Sequence, residues 1–314
     1  MAKSFPLVSI VTPSFNQAEY LEQTIRSVLD QNYPAIEYFI VDGGSTDGSV
    51  DIIRKYESQI TWWVSEPDKG QAEAINKGLS RANGEVVAWL NSDDLYMPGS
   101  ITEAVNSLQV NPQAAMVYGD AMNIDIQGNV IKKLIFPDWG LDDLMAFRII
   151  CQPAVFMRRS ILDQVGFLDP TYHYMLDTHL WIRMARMGTV VHVPKIFAGA
   201  RFHPTAKNVA HAPGFGRETL RLLEWMKVQP EYAGLVEQHR RRIEAGAYRL
   251  NARYLLDGGL PRQALSAYYQ ALERDPRYTL RHWHRMIYAV MSLVGGRELA
   301  KVYYRLRNIL QRDH

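Results

Sequence analysis

Val86-Val87-Ala88-Trp89-Leu90-Asn91-Ser92-Asp93-Asp94 is the stretch whose reading decides the fold. Its first five residues are apolar and rich in strand formers, which is the pattern of a central strand buried on both faces of a parallel sheet. Polar residues just past the carboxyl end of such a strand face the crevice where open α/β sheets bind ligands. Adjacent carboxylates there repel each other and lose solvation unless a cation joins them. Two neighbouring carboxylates suit a hard divalent ion that keeps positions open for phosphate oxygens, Mg²⁺ or Mn²⁺. The competing reading of the same tetrapeptide is a turn or helix cap before Pro98-Gly99.

Outward from this strand, helix and strand patterns alternate. Leu7 to Thr12 reads as a first strand, residues 19–31 as a helix with Tyr20, Leu21, Ile25, Val28 and Leu29 on one face, and Glu37 to Val41 as a second strand. Thr61 to Ser65 is a third, followed by a helix from Ala72 to Arg81. That alternation calls for a doubly wound, mainly parallel sheet with its polar βα loops on one edge. The loop Asp42-Gly43-Gly44-Ser45-Thr46-Asp47-Gly48-Ser49 lacks the glycine spacing of a dinucleotide fold and the Gly-Lys-Ser/Thr of a P-loop. Asp42, at the strand end, is placed to accept from a base N–H or a ribose hydroxyl, and Asp47 to cap the next helix. From Ala115 the pattern turns antiparallel: a strand at Ala115 to Tyr118, a hairpin turn within residues 123–130, and strands at Gln152 to Met157 and Thr189 to Val193 around a helix over 177–187. After Pro213-Gly214 the chain reads as helical to its end, and residues 258–276 resemble a tetratricopeptide hairpin. The expected division is 1–212, with halves 6–114 and 115–212, and a helical region over 213–314.

Composition narrows the possibilities. Of 314 residues, 47% are hydrophobic and 22% charged, which is a globular composition. A single cysteine, Cys151, excludes an internal disulfide framework and reads as a core residue in a reducing compartment. No basic-then-apolar leader is expected at the start, residues 1–5 read as a disordered lead-in, and no apolar stretch reaches the ~20 residues of a membrane span. The net charge of +2 conceals an asymmetry: residues 1–239 carry 20 Lys/Arg against 27 Asp/Glu, and residues 240–314 carry 15 against 6. The acidic body argues against nucleic acid. The basic tail contains His282-Trp283-His284-Arg285-Met286-Ile287-Tyr288-Ala289-Val290-Met291, which suits a helix in a membrane interface. Packing on the body or pairing of two chains competes with that reading.

Four blocks together resemble a family. PSFNQAEYLEQTIRSVLDQNYPAIEYFIVDGGSTDGS (13–49), EPDKGQAEAINKGL (66–79), NSDD (91–94) and YMLDTHLWIRMA (174–185) are similar, in order and spacing, to family 2 glycosyltransferases of the GT-A fold, and to those that build O-antigen and other bacterial surface polysaccharides. The resemblance spans about residues 6–205. It implies an inverting enzyme that takes a sugar from a UDP-, GDP- or dTDP-linked donor to a glycan or lipid-linked acceptor. The expected location is cytoplasmic, with peripheral contact at the inner membrane face following only if the basic tail is an interfacial helix. It assigns Thr12 and Ser14 to the nucleotide site, Asp42 to the base, Lys69 to the phosphates, and Asp93 and Asp94 to ribose and metal. Asp177 matches the catalytic base. Arg201 and His203, in Ala200-Arg201-Phe202-His203-Pro204, match a late Arg-x-His element that approaches diphosphate, metal or acceptor. Many members carry an aspartate where this chain has Asn91, so the metal rests on Asp93 or Asp94. A nucleotidyltransferase and a non-catalytic scaffold built on the tail are the alternatives; neither needs a carboxylate at 177.

Overall fold

The computed structural model describes residues 5–203 and 206–293. The lead-in before Phe5 and the tail after Leu293 lie outside them. The chain divides into two compact units, residues 5–144 with 149–203, and residues 145–148 with 206–293.

The first unit is built on one nine-stranded sheet. Its strands are β1 (Val8–Ser14), β2 (Ile36–Asp42), β3 (Trp62–Ser65), β4 (Val86–Trp89), β5 (Leu95–Tyr96), β6 (Ala114–Ile124), β7 (Val130–Leu134), β8 (Val155–Arg158) and β9 (Thr189–Arg201). They run in the order β3-β2-β1-β4-β8-β6-β9-β5, with β7 on β6. β3, β2, β1 and β4 are parallel, joined by helices Ala18–Leu29, Ser49–Lys55 and Gln71–Leu79. β8 is antiparallel to both β4 and β6 and turns the sheet into its mixed half. The expected parallel half forms, and the expected antiparallel second half forms with one exception: β8, β7 and β5 are antiparallel to their neighbours, while β6 and β9 run parallel. β4 is buried at every residue, and its Val86 and Ala88 share one core with Val8 and Ile10 of β1, Ile40 of β2, and Leu21, Ile25 and Val28 of the first helix.

Three differences from the sequence reading have local causes. β9 continues past Pro194 to Arg201 because its pairing with β6 shifts register between Gly119 and Asp120, so the proline falls where no ladder bond is needed. Gln152 begins a short 3-10 turn, Gln152–Ala154, and pairing starts only at Val155. β5 has two residues, too few to leave a periodic signal.

The second unit is helical: Ala212–Val228, Pro230–Gln238, Arg240–Asp257, Pro261–Arg274, Pro276–Leu280 and Trp283–Leu293 are its longer elements. Ala252 and Leu256 meet Ala264, Ala267 and Tyr268 across the short turn at Gly258-Gly259, and Ala289 closes the cluster from above. The helical hairpin expected there is present. Residues 145–148 are gripped by the same unit. A Cβ on Gly246 would overlap the Ala146 carbonyl, while the Arg249 guanidinium donates to the Phe147 carbonyl at 2.9 Å.

Candidate active site

The carboxyl ends of the parallel strands lie in register, so Ser14, Asp42 and Ser65 stand side by side on β1, β2 and β3. Asp42 is fully buried, and its oxygens accept from Ser65 Oγ (2.7 Å), Ser45 Oγ (2.5 Å) and the amides of Ser45 (2.8 Å) and Gly44 (3.1 Å). Gly44 adopts φ +84 to close this turn. The loop after β1 is stitched to it: Asn16 N–H donates to Ser45 Oγ at 2.7 Å, and Asn16 Oδ1 accepts from Thr46 N–H at 2.9 Å. Asp47 caps two helices, accepting from Ser49 N–H at 3.1 Å and Ala18 N–H at 2.8 Å. Burial acts to raise its pKa, but the hydrogen bonds from Ser49 and Ala18 hold the carboxyl below its usual value.

Ser14 is buried, with a hydroxyl that finds no partner among the described residues. Thr12 does not reach the crevice: it is sealed in the core with its hydroxyl 2.9 Å from that of Tyr38. Phe15 is 60% exposed, and a Cβ on Gly43 would meet both its ring and the Asp68 carboxylate, so the missing side chain lets these two groups close on the Asp42 loop. Lys69, next to Asp68, is exposed; its backbone amide is fixed by Glu73 at 2.8 Å, and its ammonium has no partner among the described residues.

The 91–94 turn is held from both sides. Thr24 Oγ1 donates to the carbonyls of Ser92 (2.9 Å) and Asp94 (2.8 Å). Asp94 accepts from Arg201 N–H at 2.9 Å and Asn91 Nδ2 at 3.2 Å, and Asn91 also donates to Gln152 Oε1 at 3.0 Å while accepting from Gln71 Nε2 at 2.6 Å. An aspartate at 91 could not donate to Asp94, so the asparagine eases the burial of that carboxylate. Even so, burial, and then the charge of Asp93, push the Asp94 carboxyl well above its usual range.

Asp93 keeps 21% of its side chain exposed and lies 3.0 Å from His203 Nε2. This pair offers one oxygen and one nitrogen donor side by side, and a divalent ion there would relieve the repulsion on Asp94. The described residues hold no group of three or more His, Cys, Asp or Glu, so the remaining positions would fall to water and phosphate oxygens. The fit is to a site completed by its ligand.

Arg201 is brought to the same place but is largely occupied by the protein. Nε donates to the Asp93 carbonyl at 2.8 Å, Nη1 to the carbonyls of Asp125 and Ile126 at 2.9 Å each, and Nη2 to Gln23 Oε1 at 2.9 Å. Its guanidinium lies 4.9 Å from the ring of Tyr20, which also packs on His203 at 5.1 Å. The sequence reading placed Tyr20 in the core and passed over Gln23 and Thr24. Polar residues at i+3 and i+4 on that otherwise apolar helical face were the available signal.

Asp177 lies in the first turn of helix Leu176–Met187, its Oδ1 accepting from Thr178 N–H at 2.6 Å and Thr178 Oγ1 at 3.2 Å. One turn on, Trp181 stacks on Trp89 of β4 at 5.0 Å, both buried, which fixes this helix to the strand that carries Asp93 and Asp94. Cys151 senses both sides: burial, with the charges of Asp94 and Asp177, drives its thiol far up, so it stays protonated.

Comparison with known proteins agrees with this architecture. The sequence profile of glycosyl transferase family 2 matches residues 9–166. The chain is 34% identical over 188 residues to the Bacillus subtilis glycosyltransferase TuaG, named for teichuronic acid biosynthesis, covering 58% of this chain and 73% of that one. A Mycobacterium tuberculosis glycosyltransferase, Rv1514c, is 29% identical over 185 residues, 58% of this chain and 70% of its own. Among solved structures, S. aureus TarS 1-349 with UDP-GlcNAc superposes with a TM-score of 0.66 at 16% identity, over 96% of this chain and 92% of that one. The mannosyltransferase PcManGT from Pyrobaculum calidifontis, with GDP-Man and Mn²⁺, gives 0.62 at 19%, over 94% and 88%.

Proposed function

The chain belongs to glycosyl transferase family 2 and is a glycosyltransferase of the GT-A type, and from that premise we propose how its residues divide the reaction. The donor is a nucleoside diphosphate sugar. Its base lies against Phe15 and the Asp42 loop, over the buried Ser14, and its diphosphate faces Lys69 and Asp93. The acceptor is a hydroxyl of a glycan or lipid-linked glycan in surface polysaccharide synthesis. Asp177 takes the proton of that hydroxyl as the new C1–O bond forms and the bond from C1 to the diphosphate oxygen breaks, with inversion at C1. Lys69 counters the negative charge that gathers on the departing diphosphate. A bound Mg²⁺ or Mn²⁺, held by Asp93 with His203 beside it, would supply further neutralisation of that charge. Arg201 acts at one remove: it ties Asp93, the turn after β6 and the first helix together, and so positions the groups that touch substrate.

The observation that carries this reading is the convergence of two unlike carboxylates. Trp181 of the helix that carries Asp177 stacks at 5.0 Å on Trp89 of β4, the strand whose following turn bears Asp93 and Asp94, and this supports reading the two as a candidate base and a candidate leaving-group site of one centre. The test is Asp177→Asn. Donor affinity should stay within a few-fold, while the transfer rate falls by about two to four orders of magnitude, the usual contribution of a positioned base. Loss of binding and rate in equal measure would make Asp177 a helix-end residue only. Titration with UDP, GDP and dTDP names the base, and failure to bind any of them would favour the scaffold reading.

A further inference from the structure

Residues 276–293 of the helical unit contain no carboxylate, yet carry Arg277, Arg281 and Arg285. Arg285 is answered by Asp257 at 3.1 Å. Arg277 and Arg281 are exposed, and among the described residues neither guanidinium has a hydrogen-bond or ion-pair partner. Beside them the helix Trp283–Leu293 is glued down by one face only, through Ala289 with Met286 and Tyr288. Its other face exposes Trp283 (54%), Ile287 (40%), Val290 (50%) and Leu293 (40%), at spacings of four, three and three, and the preceding turn adds Leu280 (51%). Scattered exposed aliphatics are ordinary on a protein surface; a stripe of five with a tryptophan and two unanswered arginines at one end is not.

We propose that this face seats in the headgroup layer of an anionic membrane, with Trp283, Ile287, Val290 and Leu293 among the acyl-chain ends and Arg277 and Arg281 on lipid phosphates. The composition is that of an interfacial helix: an apolar stripe, a tryptophan at its margin, and two exposed arginines that no acid among the described residues answers. No described helix is long and apolar enough to cross a membrane, so attachment is from one side. Pairing with a second copy fits the surface less well. A two-fold interface would set this patch against itself, bringing Arg277 and Arg281 towards their own copies with no carboxylate in 276–293 to separate them. Five half-exposed side chains also fall well short of the roughly 800 Å² per partner of a stable interface. The proposal does not depend on the glycosyl-transfer reading.

The experiment is co-sedimentation of the full chain with vesicles of phosphatidylcholine alone and of phosphatidylcholine with phosphatidylglycerol. Retention on the anionic vesicles is expected, falling as salt rises. Arg277→Gln with Arg281→Gln should weaken it about 30-fold, equivalent to about 1 kcal/mol for each arginine. Trp283→Ala with Ile287→Ser should weaken it as well, and both variants should keep the parent's melting temperature, since every altered side chain is exposed. Equal binding to neutral and anionic vesicles would overturn the proposal. So would a double arginine variant that binds like the parent, which would assign the attraction to basic residues beyond Leu293. A concentration-dependent dimer abolished by Ile287→Ser would overturn it too, giving the face to a second copy.

Discussion

Two pairs of aspartates occupy the same edge of the sheet and are treated in opposite ways. Asp42 and Asp47 are surrounded by donors from their own loop and its neighbour, hydroxyls of Ser45, Ser49 and Ser65 and amides of Ala18, Gly44, Ser45 and Ser49. Asp93 and Asp94 are adjacent, and the closest donors to the buried member come from Asn91 and from Arg201, more than a hundred residues away. One pair holds loops in shape. The other stores repulsion that a cation would release. A carboxylate at a strand end is therefore informative only together with the donors around it.

The largest effect should come from removing the exposed member of the repelling pair. Asp93→Ala is expected to weaken metal-dependent binding of the nucleoside diphosphate by at least about 10- to 100-fold, the range for groups that support a bound metal. Chelator should abolish transfer reversibly in the parent. Calorimetric titration with Mn²⁺ and with chelator reads both, and a variant that still binds nucleotide in a Mn²⁺-dependent way would erase the distinction between the two pairs. Asp42→Ala probes the other side. It strips partners from two backbone amides and two serine hydroxyls, and should lower unfolding stability by about 1–3 kcal/mol in denaturant melts. Unchanged stability with lost nucleotide binding would recast Asp42 as a ligand contact rather than a loop holder.

The smallest effect is a matter of sign. Asp47 has its carboxyl held below its ordinary value of 3.8, so its contribution to stability is present above that pH and is lost on acidification through its lower folded value. Asp94 is raised above 3.8, so the folded protein holds a proton that the unfolded chain releases. Without metal, its effect is to erode stability as pH climbs from 3.8 through its folded value. Thermal melts of the metal-free protein should show Asp47→Asn flattening the acid limb and Asp94→Asn flattening the other. The same limb flattened by both would contradict the opposite assignment.

The same contrast explains what could be read from the chain alone. The parallel half announces itself because each strand is a short apolar run with a polar loop at its end, and periodicity survives in twelve-residue helices such as Ala18–Leu29. Asp93, Asp94 and Asp177 stand in local motifs, which is why the sequence alone singles them out as candidates. The parts of the site that escaped notice are made by distant partners: Arg201 reaches Gln23, and Gln152 reaches Asn91 and the Trp89 carbonyl. No spacing in the sequence encodes a bond between such positions. Thr12 shows the reverse failure. It matches a motif, yet on the same strand face as Ser14 it lies two residues deeper, fully buried with its hydroxyl on Tyr38.

The stacked Trp89 and Trp181 carry a mechanical consequence. They weld the strand that delivers Asp93 and Asp94 to the helix whose first turn carries Asp177, through two fully buried ring systems. The span between Asp177 and the Asp93-Asp94 turn is thereby set at folding and cannot act as a hinge. On the proposed reaction, any closure over a bound sugar, with the exclusion of water that it brings, would be left to the rim, where Lys69 and Phe15 stand exposed, while the floor beneath would work as a fixed gauge for the length of the reacting pair.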